Sequence, residues 1–169
     1  MSLAGQSSAA RLGPRRTPPR FESLLEHIGG TPLVELEELT EHLPDAVEVW
    51  AKLEFMNPGG SVKDRPAREI IVDALDSGEL GEGQTLIDST SGNTGVAYAM
   101  IGAAVGIDVA LVMPENVSPA RKHIVRTFGA EIIFSDPMEG SDGAIRKVQE
   151  MVEADTEGEY FYADQYGNP

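Results

Sequence analysis

A lysine that does covalent chemistry needs an uncharged amine, and Lys63 sits where the chain favours one. It belongs to the run Asn57-Pro-Gly-Gly-Ser-Val-Lys-Asp-Arg65, followed at once by Pro66. A proline is tolerated in a helix only within the first turn, so a helix begins at about Val62 to Arg65. Lys63 then stands at the N-terminal mouth of that helix, after a glycine-rich turn. The macrodipole is positive there and disfavours a cation, which suits a nucleophilic or Schiff-base amine. On spacing alone, a lysine pointing to solvent beside Asp64 is the plainer alternative.

A second cluster, Ser89-Thr-Ser-Gly-Asn-Thr-Gly95, lies between a strand and a helix. Its glycines free the backbone. Its hydroxyls and the amides of the helix start make a cradle for a carboxylate or phosphate. It is neither a P-loop nor a G-x-G-x-x-G fingerprint; the bland alternative is an ordinary turn with a threonine cap. A third cluster, Asp164-Gln-Tyr-Gly-Asn-Pro169, follows the last strand. Gln165 there would project from the sheet edge, where its amide can bind a carboxylate, although a surface turn explains this segment equally simply.

The elements that must position these clusters alternate along the chain. Phe21 to His27 reads as a short helix, and Leu33 to Leu36 and Val47 to Phe55 read as strands. A helix is expected from about Ser61 to Asp76, stopped by Gly78. Strands are then expected over Thr85–Asp88, Asp108–Met113, Glu131–Ser135 and Tyr160–Ala163. Helices are expected over Thr94–Val105, from Ser118–Pro119 to Gly129 and over Ser141–Ala154. This βαβαβαβ order predicts an α/β fold, a three-layer parallel sheet with right-handed βαβ crossovers. Ligands then belong beyond the carboxyl ends of the strands. The loops to inspect are Ser89–Gly95, Pro114–Ser118, Asp136–Gly140 and the segment after Asp164.

Composition narrows the function classes. The 169 residues hold 28 acids, 13 bases and no cysteine, for a net charge of −15. Without cysteine there is no disulfide, thiolate metal site or thiol nucleophile, and no metal site is expected. The negative charge argues against nucleic acid and anionic membranes as partners. The longest apolar run, Gly95 to Ile107, is too short to span a bilayer. Residues 1–20 carry four arginines and no acid, so +4, which leaves −19 for the rest. That segment, rich in serine, proline and glycine, reads as a disordered basic tail; a transit peptide is the alternative. The acidic, lysine-poor body fits either a high-salt protein or an ordinary acidic one.

Taken together, Ile28-Gly-Gly-Thr-Pro-Leu33, Asn57 to Arg65, Thr90-Ser-Gly-Asn-Thr-Gly95 and Gln165-Tyr-x-Asn-Pro169 resemble the cysteine synthase (O-acetylserine sulfhydrylase) and cystathionine β-synthase family. These are pyridoxal-phosphate enzymes of the tryptophan-synthase-β-like fold, fold type II. The resemblance spans about residues 21–169, and its Asn-Pro-Gly-Gly-Ser-Val-Lys form disfavours threonine synthase and threonine dehydratase. It implies that Lys63 forms the Schiff base with pyridoxal 5'-phosphate. Asn93 would bind the cofactor's phenolic oxygen. Thr90, Ser91, Asn93, Thr94 and Gln165 would bind the substrate, the hydroxyls and Gln165 at its α-carboxylate. A subdomain from Gly95 to Phe128 would close on that carboxylate.

The implied activity is β-replacement: O-acetylserine and sulfide give L-cysteine and acetate, with Lys63 as the base on the α-proton. The implied setting is a cytoplasmic homodimer of amino-acid biosynthesis. The family also has a second domain, with a Gly/Thr-rich loop for the cofactor phosphate, which this sequence lacks; Gly78 to Gly83 precedes a strand and falls on the wrong edge. The expected organisation is therefore a tail (1–20), N-terminal strands that pack on the second domain (21–60) and an α/β domain with the lysine and carboxylate loop (61–169). The chain itself reads as the N-terminal portion of such an enzyme, inactive alone. The alternatives are a cystathionine β-synthase using serine and homocysteine, and a non-catalytic fragment acting as a binding or folding module. A flavodoxin-like domain is disfavoured, because Asn57–Arg65 has no place in it.

Overall fold

The computed structural model describes residues 23–44 and 46–168. The expected basic tail and Pro169 lie outside the described residues. The chain forms β1 (Leu33–Glu35), α1 (Glu37–Thr40), β2 (Trp50–Lys52), α2 (Asp64–Ser77), β3 (Thr85–Ser89) and α3 (Asn93–Val105). It continues with β4 (Asp108–Pro114), α4 (Pro119–Thr127), β5 (Glu131–Ser135), α5 (Gly140–Ala154) and β6 (Tyr160–Tyr162).

Strands β3 to β6 form one parallel sheet in the order β5-β4-β3-β6. Leu86 pairs with Val109 on one side and Phe161 on the other, and Val112 pairs with Ser89 and Ile133. Strands are added in one direction from β3 to β5, and the chain then returns across the sheet to β6. Right-handed crossovers require the returning helix to lie on the opposite face. That is the arrangement found: α3 packs on β4 and α4 on β5, whereas α5 packs on β3, β4 and β5.

The strand sequences follow from this burial on two faces. In β4 the run Val109-Ala-Leu-Val-Met113 is apolar at every position and at most 5% exposed, as a parallel sheet with helices on both faces demands. Leu86, Val109, Leu111 and Met113 point into the larger core with Ala97, Tyr98, Met100 and Ile101 of α3. Their neighbours Ile87, Ala110 and Val112 pack on Ala144 and Val148 of α5. Helix α2 joins the first core through Ala67 and Ile71. Each fully buried Leu or Ile contributes about 1.5–3 kcal/mol by its removal from water.

Helix ends match the sequence signals. Gly78 closes α2 in the left-handed region, at φ 78°, a conformation that costs glycine little. Ser118 caps α4 by accepting the Arg121 amide at 3.4 Å, with Pro119 in the first turn.

The N-terminal region departs from expectation. The helix expected over Phe21–His27 is a single 3₁₀ turn, Leu25–His27, among its described residues. The strand expected over Val47–Phe55 pairs only at Trp50–Lys52, and a 3₁₀ turn follows at Glu54–Met56. Among the described residues its partner is the three-residue β1, in antiparallel register Leu33 to Lys52, with one flanking bond at each end, Leu36 amide to Val49 carbonyl and Leu53 amide to Pro32 carbonyl. The short helix α1 carried no period long enough to be seen in sequence.

Candidate active site

Segments far apart in the chain meet in one cleft of about 310 Å³ beyond the carboxyl ends of β3 and β4. Its walls are Lys63, the Ser89–Thr94 loop and Gln165, with Val112 and Pro114 of β4 and Ser141, Ala144 and Ile145 from the start of α5. The cleft thus brings together Lys63, Thr90, Ser91, Asn93, Thr94 and Gln165, all the residues singled out from sequence. It opens where β3 lies beside the chain-remote β6, the kind of sheet position at which α/β proteins bind ligands.

The Lys63 wall is built from charge. Lys63 is exposed and is the N-cap of α2; its carbonyl accepts the Ala67 amide at 3.1 Å. What aims it is a knot behind it. The Glu54 carboxylate accepts from Arg65 Nε at 2.9 Å and Nη2 at 2.8 Å, from Asn57 Nδ2 at 2.8 Å and from the Thr31 hydroxyl at 3.0 Å. The Arg65 guanidinium holds Glu54 down at about 2, with the Asn57 and Thr31 bonds adding to the same effect against its desolvation. Arg65 Nη2 also donates to the Gly29 carbonyl at 2.8 Å, and Asn57 Oδ1 accepts the Gly29 amide at 2.9 Å. The segment Gly29–Thr31, the 3₁₀ turn and the start of α2 are therefore tied together.

Within that knot Asp64 is fully buried and accepts the Gly59 amide at 2.5 Å. Burial raises its pKa. A Cβ on residue 59 would lie 2.9 Å from Asp64 Cγ, so the Pro-Gly-Gly turn needs glycine there.

The opposite wall is built on the sheet. Gly92 is the N-cap of α3 and provides no side-chain cap, so first-turn amides of α3 are left for a ligand. Thr90 and Thr94 are buried, and Asn93 is exposed. The Thr90 hydroxyl accepts the Gly92 amide at 3.4 Å, and Arg121 Nη1 reaches across from α4 to the Ser91 carbonyl at 2.5 Å. Gln165 Nε2 donates to the Ser89 carbonyl at 3.1 Å. Ser89 Oγ is buried and has no hydrogen-bond partner. Gly95 lets α3 press onto the sheet: a Cβ there would meet Thr90 Cγ2 at 3.1 Å and Leu111 Cδ1 at 3.2 Å.

Beneath this wall lies Asp88, 1% exposed. Burial pushes its carboxyl up to about 6, against the opposing pull of the Gln165 and Ser89 amides. Sequence reasoning missed Asp88, the Glu54–Arg65 knot and Arg121. For Asp88 a signal was present, since it is a charged residue in a strand otherwise read as buried. Glu54 and Arg65 carried none, because an exposed acid and base are ordinary.

The donor set fits pyridoxal phosphate at its aldehyde end. It offers a lysine amine, a nearby asparagine amide and uncapped helix amides in one cleft. The glycines from Gly78 to Gly83 precede β3, at the far end of the sheet from this cleft. Among the described residues no His/Cys/Asp/Glu group has the arrangement of a metal site, and no helix is long and apolar enough to cross a membrane.

Comparison with known proteins gives consistent matches. A family model described as "Pyridoxal-phosphate dependent enzyme" matches residues 24–169. A cysteine synthase of Aquifex aeolicus is 54% identical over 149 residues, which cover 88% of this chain and 45% of that protein. Cysteine synthase B of Escherichia coli is 45% identical over 150 residues, covering 88% and 48%. Among solved structures, cysteine synthase from Entamoeba histolytica superposes with a TM-score of 0.85 at 42% identity, covering 92% of this chain and 47% of that one. An O-acetylserine dependent cystathionine beta-synthase from Helicobacter pylori gives a TM-score of 0.79 at 32% identity, covering 90% and 49%. The chain spans about half the length of the curated relatives it matches.

Proposed function

Because the chain belongs to the pyridoxal-phosphate-dependent enzyme family, we propose that its cleft is the amino-acid side of an active site that makes L-cysteine from O-acetylserine and sulfide. The observation that carries this reading is the meeting of Lys63 with the Thr90–Thr94 loop and Gln165 in one cleft. The relatives named cysteine synthase support the choice of reaction. The activity belongs to the full-length protein, of which this chain supplies the lysine and the carboxylate wall.

Lys63 and Asn93 are the residues that would hold the cofactor, the amine at its aldehyde carbon and the amide at its ring oxygen. When bound, the cofactor supplies an electron sink for the substrate's α-carbon. Thr90, Ser91, Thr94 and Gln165 bind the α-carboxylate with their hydroxyls and side-chain amide, helped by the free amides of α3. That grip fixes the amino acid beside Lys63, whose amine takes the α-proton and later returns it. Loss of acetate from the β-carbon and addition of sulfide there complete the exchange. This chain contributes no thiol to the reaction, since it has no cysteine.

Residues 61–169 then form the α/β half of the enzyme, and residues 21–60 pack on its other half. Leu33, Val34, Trp50, Phe55 and Met56 are exposed on that segment, an apolar surface suited to being covered. We place the enzyme in the cytoplasm as a homodimer. The test uses the full-length protein with pyridoxal phosphate, followed by absorption spectroscopy. O-acetylserine should shift the cofactor band, and Lys63→Ala should abolish both band and turnover. An unshifted band sinks the proposal; activity surviving in K63A would show that Lys63 is not the Schiff-base residue, and a full-length protein with neither band nor turnover would favour a non-catalytic binding module. The Helicobacter pylori neighbour favours a second reading, cystathionine formation. Sulfide and homocysteine offered as competing acceptors decide between the two.

A further inference from the structure

The carboxylate wall is assembled from two segments that are remote in the chain, the loop after β3 and the turn after β6. A single buried side chain touches both. Asp88 Oδ1 accepts the Ser89 amide at 2.7 Å, and Asp88 Oδ2 accepts the Gln165 amide at 3.2 Å. Gln165 closes the ring by donating from Nε2 to the Ser89 carbonyl at 3.1 Å. We propose that Asp88 is a positioning residue, an anionic clasp that locks Ser89 and Gln165 together and so sets the affinity of the wall for a substrate carboxylate. The carboxylate role rests on the functional reading above; the clasp itself is geometry.

Two features make a clasp necessary. Asp164, just before Gln165, adopts φ +42°, a left-handed conformation that only glycine takes freely. The turn is held on its far side by the Asn168 and Gly167 amides, both donating to the Asp164 carbonyl at 2.8 and 3.0 Å. On its near side, toward the cleft, the bonds to Asp88 and the Ser89 carbonyl hold it. The carboxylate is also costly, since it is nearly inaccessible to water and no cation is among the groups acting on it. From α3 the Tyr98 hydroxyl faces it, fully buried and completing no hydrogen bond of normal geometry. From β6 and its following turn, Tyr162 and the like-charged Asp164 face it. A strand position between Ile87 and Ser89 that needed only packing would carry an apolar residue. A carboxylate there keeps acceptors on two oxygens at once, which no apolar or amide side chain does.

Protonation must weaken the clasp, because one oxygen then becomes a donor. Burial lifts the Asp88 carboxyl to about 6, so this occurs just below neutrality.

The test compares the full-length, cofactor-loaded protein with D88N and Y98F. Amide hydrogen exchange is read at Ser89 and Gln165. Equilibrium binding is measured with L-alanine, which has the α-carboxylate but no leaving group. In D88N the Gln165 amide should exchange, and L-alanine dissociate, at roughly ten-fold or more above the unaltered level, the effect of losing one hydrogen bond to a charged group. Unaltered protein should lose L-alanine affinity as pH falls through about 6, and D88N should not. Y98F, which removes the hydroxyl that favours the anion, should move that loss to higher pH; it carries the test if D88N does not fold. An unchanged Gln165 amide in D88N overturns the clasp. Faster exchange with unchanged L-alanine affinity overturns its role in carboxylate binding, as does an unmoved pH profile in Y98F. If the unaltered protein binds no L-alanine, the functional reading falls, and the carboxylate role falls with it.

Discussion

The two walls of the cleft solve the same positioning problem with opposite electrostatics. Behind Lys63, Glu54 and Arg65 form a half-exposed ion pair, with side chains 23% and 36% accessible. The charged form of Glu54 is favoured there, down to about 2. Beneath the carboxylate loop, Asp88 is sealed from water, and its charged form is disfavoured, up to about 6. One wall is tied to an N-terminal segment by charge that water can screen. The other is fixed by the packed core of a parallel sheet, with one charge kept at a cost. The difference teaches that the proposed Schiff-base lysine and the proposed substrate grip depend on separate parts of the chain, so either can be damaged alone.

The largest effect should come from Lys63→Ala in the full-length protein, which removes the proposed base and covalent tether. Turnover should fall by at least about 10²–10⁴-fold, with loss of the cofactor band and little change in melting temperature, because Lys63 is exposed. A mutation that instead lowered stability strongly would break the view that this residue serves chemistry alone.

Next is Leu111→Ala, in the core under the carboxylate loop and against Gly95. Chemical denaturation should register a loss of about 2–5 kcal/mol. Thr90→Ala should leave folding nearly intact and raise the KM for the amino-acid substrate roughly ten-fold or more, as expected for one hydrogen bond to a charged group. An equal effect on the KM for sulfide would show that Thr90 does not grip the amino acid.

The smallest effects concern pH, and here the walls should differ in sign. The Glu54 carboxyl is lowered from 4.5 to about 2, so the stability it lends is present above 4.5 and lost as pH falls toward 2. Asp88 is raised from 3.8 to about 6, so the fold gains stability from it as pH falls across that range. Thermal melts at stepped pH should give a shallower acid loss in Glu54→Gln and a flatter profile between 6 and 4 in Asp88→Asn. Added salt should shrink the Glu54 effect and leave the Asp88 effect nearly unchanged, since only the first is open to screening. Between pH 6 and 4, protonation of Asp88 would then add to global stability while loosening Gln165 locally, two readings that separate melting from amide exchange.

Much of this was legible in the chain. Pro66 alone placed the start of α2 and put Lys63 at its mouth, because a proline inside a helix has few allowed sites. The runs Thr85–Asp88, Asp108–Met113 and Glu131–Ser135 read as strands because burial on two faces leaves their interiors apolar. The region before Asn57 was less legible. Val47–Phe55 alternates like a strand over its whole length, yet among the described residues its cross-strand bonding reaches only from Val49 to Leu53. Alternation reports which face a residue prefers, whereas ladder length depends on the neighbouring strand. Asp88 stood in plain view as a charge inside a buried strand, but its meaning required knowing what lies above it.

What the sequence by itself determined is therefore local: the element order, the helix caps, the amine after a glycine turn and the hydroxyl-rich loop between β3 and α3. These follow from backbone sterics, capping and periodic burial, which act over a few residues. The tertiary structure alone decided which remote groups touch. The strand order β5-β4-β3-β6 sets Gln165 against Asp88 and Ser89, and the fold-back of Gly29–Thr31 delivers Arg65 to its partners. Such contacts join groups tens of residues apart, and no propensity or spacing along the chain encodes their distance. They exist because the sheet buries both faces at once, which sets strands and helices remote in the chain side by side.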